Sequence, residues 1–237
     1  ANLSKIYHWL KVQKKKQKIS IKKKDLSELE LWHFDSEKIF HSSKKFFSII
    51  GLRVTSNFHK YKTWDQPIVI QNGNGILGII RRINGNQIEY LMKANVEPGN
   101  INKLQISPTV QATKSNYTGV HGGKKIRYID HFLKAKKFLV NSKQSEQGFN
   151  YLLKKNKNIL ISYNKKIELS DKYKWIKKEY LISMIKEKNI LNMDTLSVFS
   201  CSLKKNNFDQ PVNTLIEIKK WVSHMKNKKI IKIKKIK

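Results

Sequence analysis

The chain has 237 residues, of which 39% are hydrophobic, so it can form one sizeable domain or two small ones. It lacks an apolar run of about eighteen residues and an apolar leader region, which argues against a membrane-spanning helix and a secretory signal. A single cysteine, Cys201, excludes an internal disulfide and a cysteine zinc cluster, and together these features predict a cytoplasmic protein.

The net charge of +32 comes from 49 basic residues, and only Arg53, Arg81, Arg82 and Arg127 among them are arginines. The lysines are spread over the whole chain rather than gathered on one element. Phosphate recognition more often uses the bidentate guanidinium of arginine, and the sequence has no zinc finger, aromatic RNA-binding signature or basic zipper. Nucleic-acid binding is therefore only a minor alternative.

The N-terminal elements follow from apolar periodicity and capping signals. Ser4 and the spacing of Ile6, Trp9 and Leu10 predict a helix over residues 4–13. The next predicted elements are a strand at 18–22 (KISIK), a capping box at Ser27 and Glu30 before Leu31 and Trp32, and strands within 41–54 and at 63–71. The clearest signal is an Asn84-Gly85 turn between the apolar runs 75–82 and 87–96, which predicts a β-hairpin.

The C-terminal half mixes helical and strand patterns. They are a helix at 127–135, a strand at 136–142, a turn at 145–148, a strand pair within 149–163, and helices at 175–188, at 192–203 and after a capping box at Thr214 and Glu217. The helix at 175–188 is amphipathic, with Leu181, Ile182 and Ile185 on its apolar side. The mixture predicts the α/β (α+β) class, with mostly antiparallel strand pairs.

The segment from Glu97 to Gly123 is richer in hydroxyl and amide side chains than the lysine- and isoleucine-rich sequence around it. It has no apolar face of helical or strand period, which predicts that it is neither helix nor strand. A polar segment of this length inside a compact domain is either functional or disordered, and strong strand signals bracket this one. We expect a loop of hydrogen-bond donors that holds a polar ligand.

Residues 221–235 align without a gap on residues 9–23, so that a tryptophan and two isoleucines coincide. Chance similarity between two lysine-rich segments is one interpretation of this echo. The other is that the chain comprises one full repeat and the opening of a second.

Several short motifs occur in a characteristic order: EPGN, SPTVQAT, SNYT, VHGGK, QSEQG, the K-N-N pattern of KKNKN, and NMDT. In this order and at this spacing they resemble the NDP-hexose 2,3-dehydratases of deoxysugar biosynthesis, and the similarity runs from about Trp32 to Leu203. Members of that family are similar to duplicated proteins with two Nudix-like halves. The resemblance therefore implies a Nudix-like mixed, largely antiparallel sheet packed with helices, equivalent to an N-terminal half.

The domain boundaries implied in this way are a basic N-terminal extension at 1–31, a nucleotide-sugar-binding domain at 32–203, and a basic segment at 204–237 that opens a second repeat. The implied substrate is dTDP-4-keto-6-deoxyglucose. Removal of its C3 proton leaves an enolate, and loss of the C2 hydroxyl then leads to a 3,4-diketo-2,6-dideoxy sugar. The ketone itself accepts the electrons, so the resemblance implies neither a metal nor a redox cofactor.

Residue chemistry and the motifs leave five candidates for proton transfer: Tyr117, His121, Glu97, Glu146 and Asp194. Lys114 lies near Tyr117 in sequence, which predicts a lowered pKa for that phenol. The predicted substrate-binding residues are Trp32, Trp64, Gln66, Glu97, Thr113, Lys114, Ser115, Asn116, Tyr117, Thr118, Gln147, Asn192 and Thr195. For residues 113–118 a structural alternative remains, in which the side chains bond to their own backbone.

The sequence departs from the family pattern at several positions. Lysine stands at 114, 155 and 157 where arginine is usual, so a positive charge is kept but a bidentate contact to phosphate is lost. Leu196 replaces an expected arginine, and Lys93 and Asn95 stand where glutamine and lysine are usual.

These departures leave open a nucleotide-sugar-binding protein without turnover. For a chain that resembles one half of a duplicated protein, we also expect a homodimer in which two copies take the place of the two halves.

Overall fold

The computed structural model describes residues 2–58, 60–119, 125–202 and 231–235. The chain divides into two compact units. The first comprises Ala1–Asp25, Gly73–Gln144 and Lys155–Ser202, and the second comprises Leu26–Asn72, Ser145–Lys154 and Leu203–Lys237. Strands and helices occur together and most strand pairs are antiparallel, which confirms the predicted α+β class.

The first unit is built on a seven-stranded sheet. Its strands are β5 (Gly75–Asn84), β6 (Gln87–Val96), β7 (Leu104–Ser107), β8 (Val110–Ala112), β9 (Val140–Ser145), β10 (Lys155–Ser162) and β11 (Tyr173–Lys177). They are ordered β11-β6-β5-β10-β9, with β7 beside β6 and β8 beside β5, and β10 runs parallel to β5. The helices are α1 (Leu3–Lys16), α2 (Lys114–Tyr117), α3 (Ile129–Leu133), α4 (Lys178–Ile185) and α5 (Met193–Ser202).

The two faces of this sheet carry separate apolar cores, because successive side chains of a strand point to opposite faces. Leu77 and Ile79 of β5 belong to the core formed with α1, α4 and α5. Ile76 and Ile80 belong to the other core, which includes Phe132 of α3. The predicted hairpin is confirmed, with β5 and β6 joined at Gly85 in the left-handed region at φ +58°.

The predicted N-terminal helix is confirmed as α1, and its buried face contains Ile6 and Trp9. Its N-cap is Asn2 rather than the expected Ser4, because the Asn2 side chain accepts a hydrogen bond from the backbone N–H of Lys5. The Trp9 indole N–H donates to the carbonyl of Asp171 at 2.8 Å, so the buried ring also has its polar atom satisfied.

Gly78 of β5 lies under the ring of Phe132. A Cβ at this position would be 2.6 Å from Cζ of that ring, which is far inside van der Waals contact. We expect Gly78→Ala to destabilise the first unit by about 1–3 kcal/mol, because a packed core does not accept the added methyl group without shifting. Urea unfolding followed by tryptophan fluorescence measures this change.

Gly99→Ala is the matched control for that substitution, since a Cβ at Gly99 meets no atom within 4 Å. Equal stability of the Gly78→Ala variant and the wild type would show that Phe132 is free to move away.

The predicted loop from Glu97 to Gly123 is wrong in part. It contains β7, β8 and the short helix α2, which belong to the first unit. The strand period is obscured because polar side chains on these strands point inward. Thr109, between β7 and β8, is fully buried; its hydroxyl donates to the carbonyl of Leu91 and accepts from the backbone N–H of Ile80.

The second unit has a five-stranded sheet formed by β1 (Trp32–Phe34), β2 (Lys38–His41), β3 (Ser48–Ser56), β4 (Thr63–Ile70) and β12 (Ile231–Lys235). Strand β3 is central and pairs antiparallel with β2, β4 and β12. Its core comprises Ile50, Leu52, Val54 and Ile68. The strands predicted within 41–54 and at 63–71 are confirmed as β3 and β4.

Two predicted elements are wrong, and a third begins later than expected. Residues 18–22 form no strand, and the capping box at Ser27 and Glu30 opens no α-helix, since a 3-10 turn at Leu26–Glu28 precedes β1. The helix expected from residue 175 begins at Lys178, because β11 pairs with β6 up to Lys177. Its buried residues are Leu181 and Met184, whereas Ile182 and Ile185 are exposed.

The other C-terminal predictions have mixed outcomes. The helix predicted at 127–135 is the shorter α3, the helix at 192–203 is α5, and the strand predicted at 136–142 is β9, which begins at Val140. Residues 149–163 contain one strand, β10, rather than a pair. The predicted C-terminal helix after Thr214 lies outside the described residues.

Candidate functional site

Two neighbouring motifs and a third that lies 81 residues further along the chain meet in one hydrogen-bonded chain of side chains in the first unit. The Asn192 amide donates to Gln111 Oε1 at 2.9 Å, and the Gln111 amide donates to Glu97 Oε1 at 2.5 Å. Asn192 opens NMDT, Gln111 lies in SPTVQAT, and Glu97 opens EPGN. We call Asn192, Gln111 and Glu97 the amide relay.

Glu97 ends this relay as a carboxylate that accepts from three side-chain amides. Besides Gln111, Asn95 donates to its Oε1 and Asn100 to its Oε2, both at 3.1 Å. An ionised carboxylate offers about four acceptor positions, so about one remains for a hydroxyl group of a ligand. This geometry favours Glu97 as a positioning acceptor over Glu97 as a proton-abstracting base.

Asn192 begins the relay at the N-terminus of α5. Its Oδ1 accepts from the backbone N–H of Thr195 at 2.9 Å, in the manner of an N-cap. The Thr195 hydroxyl donates to the carbonyl of Ile106 in β7 at 3.1 Å, so both predicted residues are buried and tie α5 to the sheet. Asp194 lies between them in the first turn of α5, where a carboxylate is favourable with the helix dipole.

The K-N-N motif adds a second buried polar group on the face of the sheet that α5 covers. Asn158 is fully buried, and its Oδ1 accepts from the hydroxyl of Ser197 in α5 at 2.9 Å. A Cβ at Gly75 would lie 2.6 Å from Oδ1 of Asn156, so the glycine leaves room for this amide. Sequence reasoning did not name Asn156, Asn158 or Gln111 as site residues, although they stand in quoted motifs.

Residues 113–118 form α2 and its caps rather than an open cradle. The Thr113 and Ser115 hydroxyls bond to each other at 3.1 Å, and the Thr118 hydroxyl donates to the carbonyl of Lys114 at 2.8 Å. Asn116 and Lys114 are exposed. The local bonds agree with the structural alternative for the hydroxyls of this segment, and a ligand role remains a prediction.

The expectation of a lowered pKa for Tyr117 is wrong. Its hydroxyl donates to the carbonyl of Asn74 at 3.2 Å, and burial raises the pKa of the phenol. Tyr117 therefore keeps its proton at neutral pH and is a hydrogen-bond donor.

Lys93 of β6 is half-buried near Glu97. Burial lowers the pKa of its ammonium group, the positive charge of Lys172 lowers it further, and the Glu97 carboxylate opposes both effects. A charged lysine in this place is therefore less favourable than in water.

We expect Lys93→Gln, which restores the residue usual in the family, to raise Tm at pH 7. Because the pKa of Lys93 is lower in the folded state, the charged lysine destabilises the fold, and this penalty is complete at every pH below the lowered pKa. The advantage of glutamine should shrink as the pH rises from the lowered pKa toward the ordinary value of 10.5. Calorimetric melts across this range measure it.

Lys186→Gln, at an exposed position just after α4, is the control, because it removes the same charge from the same unit. A Tm gain of equal size in both variants would assign the effect to net charge alone.

In the second unit, the predicted residues Trp64 and Gln66 of β4 are brought together. The indole N–H donates to Gln66 Oε1 at 2.8 Å, and the Gln66 amide donates to the carbonyl of Phe149 at 3.1 Å. Gln147 is exposed and accepts from the amide of Asn150 at 2.9 Å. These contacts satisfy the polar atoms locally, and a ligand role of the residues remains a prediction.

Glu146 lies in the same unit near Lys154, which sequence reasoning did not single out. Lys154 is only 4% exposed, and burial lowers the pKa of its ammonium group while the Glu146 carboxylate opposes the shift. A buried lysine in a polar motif indicates a functional position more strongly than the exposed Lys155 that follows it.

Trp32 of β1 packs within an aromatic cluster of the second unit. Its ring centroid lies 4.9 Å from that of Phe47 and 5.5 Å from that of His41, the latter edge-on. The indole ring is half-buried and already has aromatic neighbours, so stacking on a nucleobase stays a prediction.

His121 lies outside the described residues, and its predicted role in proton transfer stays a prediction. Among the residues that the structure describes, no group of three or more His, Cys, Asp or Glu side chains is arranged to hold a metal ion. Within the same part of the chain, none of the helices has the length and apolar character needed to cross a bilayer.

Leu196, at the expected arginine position, is half-buried on α5 and packs against the core shared by α1, α4 and α5. Its environment suits an apolar side chain. Compared with the arginine that is usual in the family, Leu196 therefore removes a cation and adds an apolar contact.

Comparison with known proteins agrees with the motifs. The family model described as NDP-hexose 2,3-dehydratase matches residues 3–202. A Saccharopolyspora spinosa protein named dTDP-4-dehydro-6-deoxy-alpha-D-glucopyranose 2,3-dehydratase is 39% identical over 177 residues, which is 73% of this chain and 36% of that protein. A protein of the same name from Streptomyces violaceoruber is 40% identical over 74% of this chain and 41% of its own length.

A third protein of that name, from Amycolatopsis orientalis, is 28% identical over 237 residues. The match takes in 96% of this chain and 50% of that protein. The chain thus spans at most about half the length of the curated relatives it matches.

Proposed function

Since the chain belongs to the NDP-hexose 2,3-dehydratase family, we propose that it binds dTDP-4-keto-6-deoxyglucose and removes water across C2 and C3 of the sugar. The observation that carries the proposal is the amide relay, because it joins three family motifs in one group of oriented donors and acceptors. The product is a 3,4-diketo-2,6-dideoxy sugar nucleotide for deoxysugar biosynthesis.

The proposed chemistry needs a base, donors for the enolate and an acid. A base takes the C3 proton, the electron pair moves to the C4 oxygen, and amide or hydroxyl donors stabilise the oxyanion, each contributing about 3 kcal/mol. The C2 hydroxyl then leaves with a proton as water, and the resulting C3 enol becomes the ketone. The ketone of the substrate accepts the electrons, so the proposal requires no cofactor.

We assign the roles within the predicted set. Asp194 is the proposed base, because its backbone lies directly between Asn192, which opens the relay, and Thr195. Tyr117 keeps its proton, and we propose that its hydroxyl leaves the Asn74 carbonyl to donate to the departing hydroxyl. Glu97 accepts from a sugar hydroxyl with its remaining lone pair. His121 and Glu146 remain alternative bases.

The test is incubation with dTDP-4-keto-6-deoxyglucose, followed by chromatography of the nucleotides. The proposal expects consumption of the substrate and release of dTDP as the unstable diketo product breaks down. An unchanged substrate after prolonged incubation with micromolar protein would exclude catalysis by this chain.

A nucleotide-sugar-binding protein without turnover is the second candidate function. It is favoured by Leu196, whose apolar packing leaves no cation at a position where the family usually has arginine. Calorimetric titration with dTDP separates the two candidates: heat of binding without turnover supports this one, and the lack of both contradicts both.

We propose that the chain acts as a homodimer, since it spans about half or less of the length of each relative and a second copy would supply an equivalent of the remainder. Sedimentation should show a species of twice the 27.9 kDa chain mass. A monomer at all concentrations up to about 100 µM, well above the dissociation constants of ordinary stable dimers, would contradict it.

We also propose a cytoplasmic location, because the single Cys201 calls for no oxidising compartment.

A further inference from the structure

A cavity of about 410 Å³ lies beside α3 in the first unit. His131 of α3, Lys134, Lys136, Lys137 and Tyr163 contribute to its lining. None of these residues belongs to the amide relay or to the motifs shared with the family. We call this space the α3 cavity.

The α3 cavity is rich in positive charge. Asp130 is the acidic residue in its lining, and its carboxylate is bonded to Lys125 at 2.5 Å, an interaction that lowers the pKa of Asp130. Among the described residues, Lys134, Lys136 and Lys137 form no ion pair with any carboxylate. Three lysines thus line one concave space, and the carboxylate near Lys134, that of Asp130, is already bonded to Lys125.

His131 supplies a further donor. Its ring packs edge-on against Tyr163 at 4.8 Å and against Tyr128 at 6.0 Å between centroids. Its Nδ1 is buried and has no hydrogen-bond partner among the described residues. A buried N–H without an acceptor is costly, so the neutral ring carries its hydrogen on Nε2, which is then the nitrogen that can donate.

The α3 cavity is distinct from the amide relay, although Tyr117, the proposed acid, packs against the same core as α3. Strand β10 passes both, with Asn158 on the face covered by α5 and Ile161 on the face covered by α3. The cavity is on the second of these faces, at the end of the strand. Asn158 and Ser162 are also about 13 Å apart along β10, because a strand rises about 3.3 Å per residue.

We propose that the α3 cavity binds the phosphoryl group of a small phosphorylated molecule. A phosphate dianion neutralises two of the three ammonium groups, and lysine binds phosphate as a mobile point charge. Nε2 of His131 donates a hydrogen bond to one phosphate oxygen. The volume falls within the range of small-molecule sites, about 300–1,000 Å³, so the cavity accommodates more than the phosphoryl group alone.

The test is a titration with inorganic phosphate at constant ionic strength, followed by calorimetry and by NMR of the histidine ring nitrogens. The variant carries Lys134→Gln, Lys136→Gln and Lys137→Gln. Its control carries Lys178→Gln, Lys186→Gln and Lys188→Gln, which removes the same charge from exposed positions on and just after α4. We expect the cavity variant to lose at least tenfold in phosphate affinity and the control to lose less than twofold.

In the wild type, phosphate should shift the ring-nitrogen resonances of His131. His131→Phe keeps an aromatic ring against Tyr163 and should weaken phosphate binding with all three lysines in place. Equal loss in both lysine variants, or no phosphate-dependent shift at His131, would overturn the site. Glucose 1-phosphate is the second probe: binding at least as tight as that of inorganic phosphate supports a phosphorylated small molecule as the occupant, and weaker binding contradicts it.

The dTDP affinity of the cavity variant separates this inference from the proposed function. We expect it to be unchanged, because the α3 cavity is a site of its own. A parallel loss of dTDP and phosphate binding would make the cavity part of the nucleotide site and would overturn its independence. Absence of dehydratase activity would not change the interpretation of the phosphate titration, because the titration measures binding at the α3 cavity alone.

Discussion

Replacing Gln111 by methionine is expected to lower kcat/KM for dTDP-4-keto-6-deoxyglucose by about 100-fold, because catalytic groups that move by about 1 Å lose that much. Gln111 accepts from Asn192 and donates to Glu97, and methionine of similar size can do neither. If the chain binds without turnover, the same substitution should weaken binding of the sugar nucleotide by about tenfold, the value of one hydrogen bond to a charged group. Steady-state kinetics and calorimetry measure the two quantities.

Gln105→Met is the matched control for this substitution. Gln105 is a buried glutamine on the neighbouring β7, but its amide donates to the carbonyl of Asn189, outside the relay. We expect similar losses of Tm in the two variants and a loss of activity or affinity in Gln111→Met alone. Equal functional losses would reduce Gln111 to a structural residue.

Replacing Arg82 by leucine is expected to destabilise the first unit by about 3 kcal/mol, because it leaves the carboxylate of Glu89 buried without its cation. Glu89 is 5% exposed, and its Oε2 accepts from Nη2 and Nε of Arg82 at 2.6 and 2.8 Å. The guanidinium also stacks on Trp175 at 4.2 Å. The remaining donor, the amide of Asn84, is 3.4 Å from the carboxylate. Urea unfolding measures the change.

Two further variants locate the effect in the uncompensated charge. Lys16→Gln breaks the exposed Lys16–Asp171 pair, whose side chains are both 57% exposed, and should cost less than about 1 kcal/mol. Arg82→Leu combined with Glu89→Leu should recover part of the stability, since no buried charge is then left unpaired. A double variant less stable than Arg82→Leu alone would contradict this explanation.

Local signals predicted the fold best. The Asn84-Gly85 turn and the apolar runs beside it are contained in about twenty residues, and they form β5 and β6 as expected. Residues 18–22 have the alternation of a strand but form none, because a strand also needs a partner edge that local sequence does not specify. The start of α4 differs from the prediction for a related reason. Residues 175–177, which have the pattern of a helix, pair with β6 as part of β11.

The sequence motifs predict individual residues of the candidate site but not the contacts between them. Glu97, Asn192 and Thr195 were named from the family motifs, whereas Gln111, which connects the first two, was not. Buried amides give no periodic signal, so Asn158 and Asn156 could be recognised only once β10 was placed beside β5. Inward-pointing Thr109 likewise hid the strands in the polar segment.

The most direct test of a dehydratase centred on the amide relay is proton exchange at C3 of dTDP-4-keto-6-deoxyglucose in D2O, followed by NMR. Removal of the C3 proton is the first proposed step. The account predicts that the wild type brings deuterium to C3 or to the product derived from it, and that Gln111→Met slows this exchange while Gln105→Met does not. Absence of deuterium from both the substrate and its product with the folded, dTDP-binding wild type would contradict it.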